Sequence, residues 1–216
     1  MIAMLLAAGR GERLRPITDA MPKALVEVRG RSLLERHLDA LAAAGVHTVI
    51  INLGWLGEMI AERVGSGDRY GLSVVYSDER DNVLETAGGI RKALPLLGSS
   101  PFLVVNADIY TDMPLPCPLP GEDELAHLVL VPVPAFKATG DFDVTAGKLA
   151  NSEAPAYTFS GVASYRADFF ADLAPGRRPL APLLRAAADA GRVGASIYRG
   201  NWHDVGTPDR LAAVNS

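Results

Sequence analysis

The chain is poor in cysteine. Cys117 is the only one among its 216 residues. That excludes an internal disulfide and a cysteine zinc cluster, and a reducing, cytoplasmic setting fits best. A basic surplus is missing too. The net charge is −4, whereas proteins that track a nucleic-acid backbone carry an excess of Lys and Arg, so a nucleic-acid partner is not expected. A local basic pocket for a small anion remains compatible with this balance. Long apolar runs are also scarce. The opening MIAMLLAA has no basic residues before it and is too short to cross a bilayer, so it is read as a buried strand, not as a leader or anchor. No other stretch is long and apolar enough for a membrane span, and no membrane partner is expected. Internal repeats and low-complexity linkers are absent as well.

What the chain does have is apolar content: 49% of it is hydrophobic and only 21% charged. That is enough for one large core in a single domain. Residues 2–7 (IAMLLA) are continuously apolar, as a parallel strand covered on both faces should be. Residues 32–44 have helical spacing, with Ser32 as N-cap and Gly45 as the stop. VHTVIIN, GLSVVYS and PFLVVNAD read as further strands, separated by helices in LGEMIAERV and TAGGIRKALPLL. This alternation predicts a doubly wound, mostly parallel (Rossmann-like) α/β sheet.

After residue 111 the rhythm changes. MPLPCPLPG is too rich in proline for a helix or a sheet interior. LAHLVLVPVP and AYTFSGVASYR read as strands, FDVTAGKLA as a hairpin, and VGASIYRG as a last long strand. Helices are expected over 167–173 and 180–190, and Thr207 with Pro208 opens a terminal helix. The expectation is one domain over 1–216 with a small β-elaboration. Residues 1–111 would form its nucleotide-binding half and 112–216 the half that shapes an acceptor pocket.

Four segments carry chemistry. In AGRGERLRP (8–16), Gly9 and Gly11 supply two glycines of a dinucleotide fingerprint, with Glu35 or Asp39 as possible ribose acids, but Leu14 stands where the third glycine belongs. The lysine and hydroxyl residue of a Walker loop are absent. The loop instead reads as a strand-end turn whose glycines let backbone N–H groups approach phosphates, with Arg13 adding a permanent charge. In MPKALVEV, Pro22 holds Met21 extended and Lys23 can reach back over that loop. In FLVVNADIYTD, Asp108 ends an apolar strand, the edge at which ligands bind in open α/β sheets. A carboxylate there suits Mg²⁺, which takes oxygen ligands shared with substrate phosphates. Asp112 reads as a turn cap. In NWHDVGTPDRL, Asp204 closes a short strand, and His203 beside Trp202 reads as a packing or orienting histidine. Two aspartates, a glycine loop and a lysine make a metal-assisted phosphoryl-transfer site.

With LAAGRGERLRPITDAMPKAL, LETAGGI, VVNAD and WHDVGTPDRL, the chain resembles the sugar-1-phosphate nucleotidyltransferase family over essentially its whole length. The family pattern L-x-x-G-x-G-x-R-x-x-P with a downstream P-K-P-L is met at Gly9, Gly11, Arg13, Pro16 and Lys23. Ala24 replaces the second proline, and Ala107 replaces the glycine before the metal aspartate. The later segments, T-F-S-G and W-x-D-V-G-T among them, are similar to the short uridylyltransferases of peptidoglycan recycling in bacterial cell-wall metabolism.

The resemblance implies roles for matching positions. Ala8, Gly9, Gly11, Glu12 and Arg13 would line the triphosphate loop, and Lys23 would neutralise phosphate. Glu85, Thr86, Gly88 and Gly89 would face the base, and Asn106 would lie beside the nucleotide. Asp108 and Asp204 would hold Mg²⁺. Arg13, Lys23 and Asp108 would be catalytic, and Gly140, Asp141, Glu153 and Ser160 would form the sugar pocket. The implied substrates are UTP and a sugar 1-phosphate, with N-acetylmuramate 1-phosphate favoured. The alternatives are glucose 1-phosphate, mannose 1-phosphate or phosphocholine as acceptor, or a non-catalytic nucleotide sensor.

Overall fold

The computed structural model describes residues 1–80 and 84–216. In chain order the elements are β1 (Ile2–Leu6), α1 (Ile17–Ala20), β2 (Glu27–Val28), β3 (Arg31–Ser32), α2 (Leu33–Ala43), β4 (Thr48–Leu53), α3 (Gly57–Val64), β5 (Ser73–Asp78), α4 (Glu85–Leu97) and β6 (Phe102–Asn106). There follow β7 (Ile109–Thr111), β8 (Ala126–Pro132), β9 (Asp143–Thr145), β10 (Lys148–Ala150), β11 (Tyr157–Tyr165), α5 (Leu180–Asp189), β12 (Val193–Ile197), β13 (Trp202–Asp204) and α6 (Pro208–Asn215).

One nine-stranded sheet runs in the order β5-β4-β1-β6-β11-β8-β12-β10-β9. All of its strands point one way except β11 and β10, which lie antiparallel to their neighbours. The fold is therefore the expected α/β class with a mostly parallel sheet. Strands from both halves of the chain share it: β11 pairs directly with β6, so the later strands extend the earlier sheet. The helix expected over 167–173 is shorter than its pattern, a 3₁₀ turn over Ala167–Phe170.

The unbroken apolar runs follow from burial on both faces. Alternate residues of a strand point to opposite faces, and here they enter two separate cores. Ala3, Leu5, Val49, Ile51, Leu103 and Val105 pack with Leu34, Leu38 and Leu41 of α2 and Ile60 of α3. Met4, Ile50, Phe102 and Val104 pack with Ala87, Ile90 and Ala93 of α4 and Leu184 of α5. Helix α2 starts where its cap chemistry places it, with the Ser32 hydroxyl accepting from the Glu35 N–H at 3.3 Å.

Two features of this topology position the site. After β1 the chain builds outward through β4 and β5, then returns to the other side of β1 as β6. That reversal opens a crevice at the carboxyl ends of β1 and β6, the usual place for a ligand in such sheets. Separately, β7 and β13 form a two-stranded antiparallel ladder that sets Asp204 opposite Ile109. The ladder continues as Val205 N–H donates to the Asp108 carbonyl at 3.2 Å. Helix α6 then packs Val214 against Val28, Leu33 and Val205, which ties the end of the chain to the segment just after Lys23.

Candidate active site

A cleft of about 610 Å³ opens at the reversal point, lined by Ala8, Gly9, Lys23, Asn106, Asp108 and the start of α4, with Asn52, Trp55 and Glu79. Its charged centre is compact. Lys23 is 8% exposed. Its Nζ lies 2.5 Å from Asp108 Oδ2 and 3.8 Å from Asp204 Oδ1. Asp204 Oδ2 accepts from Arg210 Nη1 at 2.7 Å. Two carboxylates, one in the turn just before β7 and one at the end of its partner strand β13, thus converge on one buried ammonium.

Local chemistry explains how Lys23 gets there. Pro22 is extended (φ −65°, ψ 143°) and Lys23 opens a 3₁₀ turn over Lys23–Leu25. Gly11 is in the left-handed region at φ +67°, and a Cβ there would stand 3.0 Å from Thr18 Cγ2 and 3.1 Å from Lys23 Cβ. Thr18 Oγ1 donates to the Gly11 carbonyl at 2.8 Å, fastening the loop to the segment that leads to the lysine. Gly9 differs from Gly11: nothing would lie within 4 Å of a Cβ there.

The other expected residues divide between the cleft and its surroundings. Ala8, Gly9, Glu85, Thr86, Asn106 and Asp108 line the cleft. Glu12 is exposed and turns toward Arg10, at 4.0 Å. Arg13 reaches the second aspartate's segment, its Nη2 only 3.1 Å from where a Gly206 Cβ would stand. Gly88 and Gly89 stand behind the cleft-lining residues: Gly89 lies against Asn52 and Glu79, and Gly88 lines an adjoining hollow that shares Glu79 and Leu84 with the cleft. A Cβ at Gly88 would meet the Gly176 carbonyl at 2.3 Å, and one at Gly89 would meet Glu79 Oε1 at 2.7 Å. Both glycines allow close packing of α4. Glu85 also holds Arg177, with Nη2 at 2.6 Å.

Among the residues expected for the sugar pocket, Asp141 organises the loop it sits in: Oδ1 accepts from Lys137 Nζ at 2.8 Å and Oδ2 from Phe159 N–H at 3.0 Å. Gly140 is buried against that strand, where a Cβ would meet the Tyr157 carbonyl at 2.4 Å. Glu153 is exposed on the connection before β11. Ser160 is buried and its Oγ donates to the Val129 carbonyl at 2.7 Å, so its hydroxyl serves the sheet. Its carbonyl accepts from Trp202 Nε1 at 2.8 Å. The register of β11 shifts beside it, between Phe159 and Val162. Gly161, at φ +84° in this bulge, leaves room for Asn106, whose Cγ would lie 2.8 Å from a Cβ.

The ribose-acid reading of the loop fails on position. Glu35 is committed to Arg63 and Arg69, and Asp39 to Arg31, none of which lines the cleft. His203 is exposed and lies against Tyr110, ring centroids 6.1 Å apart, as a packing residue would.

Sequence reasoning missed the residues at the ends of β4 and β5. Asn52 Oδ1 accepts from Ala7 N–H at 2.7 Å and its Nδ2 donates to Glu79 Oε1 at 2.9 Å, all buried. Burial pushes the Glu79 carboxyl above its ordinary value, with the Asn52 amide opposing. Gly54 passes so close to the glycine loop that a Cβ would sit 2.2 Å from the Ala8 carbonyl. Trp55 Nε1 donates to the Thr18 carbonyl at 2.9 Å, and Arg10 stacks on its ring at 4.5 Å. The available signal was topological: parallel neighbours of β1 must end at the same crevice.

This fold and site define a class, and the comparisons agree with it. The model of the nucleotidyl transferase family matches residues 2–132, and the chain belongs to that family. Its relatives are more particular. It is 44% identical, over 98% of its length and 95% of the relative's, to N-acetylmuramate alpha-1-phosphate uridylyltransferase of Neisseria meningitidis. It is 35% identical to the enzyme of the same name from Caulobacter vibrioides, over 98% of this chain and 95% of that one. Among solved structures, a Bacillus anthracis protein assigned as a glucose-1-phosphate thymidylyltransferase shares the fold, with a TM-score of 0.82 and 20% identity over 100% of this chain and 94% of that one.

Proposed function

We propose that the chain transfers the uridylyl group of UTP to N-acetylmuramate 1-phosphate, releasing pyrophosphate, as a step of peptidoglycan recycling in the cytoplasm. The observation that carries this reading is the convergence of Asp108 and Asp204 on Lys23 beside the glycine loop. The near full-length likeness to two uridylyltransferases of that name supports the choice of substrates.

In the reaction an oxygen of the acceptor phosphate bonds to the α-phosphorus of UTP while the α–β bridging P–O bond breaks. The nucleophile is already ionised, so no general base is needed. The protein's task is to align two anions and offset their repulsion. The Gly9 loop brings backbone N–H groups to the triphosphate, and Lys23 and Arg13 supply fixed positive charge. Asp108 and Asp204 fit Mg²⁺ by donor chemistry: both are carboxylates, partly exposed, and already gathered about a cation. When bound there, Mg²⁺ would neutralise charge on the phosphates of the two substrates.

The test is pyrophosphate release from a panel of nucleoside triphosphates, each with N-acetylmuramate, glucose and mannose 1-phosphates and phosphocholine. UTP with N-acetylmuramate 1-phosphate should be the best pair. Lys23→Met and Asp108→Asn should each lower kcat by on the order of 10²–10³-fold while cooperative thermal unfolding is retained. UTP binding without pyrophosphate release for any acceptor would replace this reading with that of a nucleotide sensor.

A further inference from the structure

Arg210 joins the charged centre to the loop that carries Gly140 and Asp141. Its guanidinium is held at two points: Nη1 donates to Asp204 Oδ2 at 2.7 Å and Nε to Thr207 Oγ1 at 3.3 Å. One face of the group lies over the Phe136 ring, 4.1 Å from its centroid. The side chain is only 20% exposed. Among the described residues, neither N–H of its Nη2 has a partner. Phe136 is unusual in turn, a large apolar side chain left 49% exposed at the tip of a loop. That loop is braced by the bonds from Asp141 to Lys137 and to the Phe159 N–H.

A guanidinium fixed at two nitrogens, stacked on a ring and open at the third is prepared to grip an anionic oxygen. Its side-chain freedom is already lost, so little more is given up when a ligand arrives. Asp204 has oxygens to spare for this arrangement: Oδ2 stays with Arg210 while Oδ1 faces Lys23. We infer that Arg210, seated on Phe136, is the acceptor-specificity residue of the site and binds an anionic oxygen of the sugar phosphate, either its phosphate or a carboxylate on its ring. The inference rests on the uridylyl-transfer reading above.

Arg210→Lys keeps a positive charge beside Asp204 but loses the planar fork. KM for N-acetylmuramate 1-phosphate should rise at least tenfold in Arg210→Lys, while KM for UTP stays within twofold. Phe136→Ala, which removes the ring but no charge, should raise the acceptor KM in the same selective way by several-fold. Inhibition by N-acetylglucosamine 1-phosphate, which has the phosphate and lacks the carboxylate, then separates the two sources. An inhibition constant weakened by the same factor assigns the phosphate, and an unchanged one assigns the carboxylate.

An acceptor KM within twofold of wild type in Arg210→Lys overturns the inference. So does an equal rise in both KM values, which would make Arg210 a brace for Asp204 alone. Should Arg210→Lys not turn over, calorimetric titration of the folded variant with N-acetylmuramate 1-phosphate decides, lost binding supporting the inference and wild-type binding refuting it. A wild-type protein inactive on every sugar 1-phosphate would instead refute the parent reading.

Discussion

Gly9 and Gly11 stand two residues apart in one loop, and alanine should damage them in different ways. At Gly11 the backbone φ of +67° lies in the left-handed region, which costs a residue bearing a Cβ roughly 1–2 kcal/mol. The new methyl would also press on Thr18 Cγ2 at 3.0 Å and Lys23 Cβ at 3.1 Å, both close to the backbone and not free to swing away. In a chain of this size each kcal/mol shifts Tm by about 2–4 °C. Gly11→Ala should therefore lower Tm by about 2–8 °C. It should also lower kcat, because the residue displaced is the one that carries the ammonium to Asp108.

Gly9 has no positive φ, and a Cβ there would meet nothing within 4 Å. Alanine at such a position stabilises by about 0.4–1 kcal/mol through the unfolded chain, so Tm should rise by about 1–4 °C. The damage falls on the ligand. Gly9 lines the cleft, and in the proposed reaction its loop would bring backbone N–H groups close to phosphate oxygens. A methyl in that gap should raise KM for UTP at least tenfold, a loss of about 1.4 kcal/mol. Differential scanning fluorimetry and initial rates with UTP varied give both readouts on the same preparations. Wild-type KM in Gly9→Ala would refute the phosphate-cradle assignment of this loop. A Tm for Gly11→Ala equal to that of wild type would refute the packing argument for Lys23.

Two further perturbations probe the frame around the cleft. His37 is buried with Nε2 at 2.9 Å from the Ile109 carbonyl, and burial pushes its imidazole down to about 4, against opposing effects of that carbonyl and of Asp108. The folded protein thus binds this proton less readily than the unfolded chain, so the stability contributed is full above pH 6.5 and is lost as pH falls toward 4. Between those limits urea denaturation should show wild type losing on the order of 3 kcal/mol more than His37→Gln, and parallel pH profiles would contradict the assignment. Asn52→Leu leaves the Ala7 N–H and the Glu79 carboxyl without their buried partner. It should cost roughly 2–6 kcal/mol of unfolding free energy, and a loss below about 1 kcal/mol would show that water replaces the amide.

The parts of this molecule legible in its sequence are those whose causes lie close together along the chain. IAMLLA, VHTVIIN and PFLVVNAD announce strands because both faces of β1, β4 and β6 are covered, leaving no polar alternation to hide the run. The glycine loop, Lys23 and Asp108 are legible because each sits within a few residues of the turn or strand end that positions it. Asp204 stands out in the sequence, but its meeting with Lys23 depends on the ladder of β7 with β13, whose three-residue strands are too short to show a period. Gly88, Gly89 and Ser160 lie within matching motifs, yet two of them accommodate helix packing and one bonds the sheet.

Arg210 is the clearest case of a residue the sequence hides. No motif in PDRLAAVN singles it out. Its environment is assembled from three places that only the fold unites: the ladder that brings Asp204, the cap residue Thr207, and a proline-flanked loop that presents Phe136. A charge that looks idle in the sequence is held by an acid, a hydroxyl and a ring beside the Lys23–Asp204 pair. A merely solvated arginine would not be held in this way, since each of those contacts restricts a side chain that water alone would leave free. The restriction is useful where a ligand must be met by a group already in place, and that is why the acceptor, not the nucleotide, is the substrate whose KM should answer to Arg210.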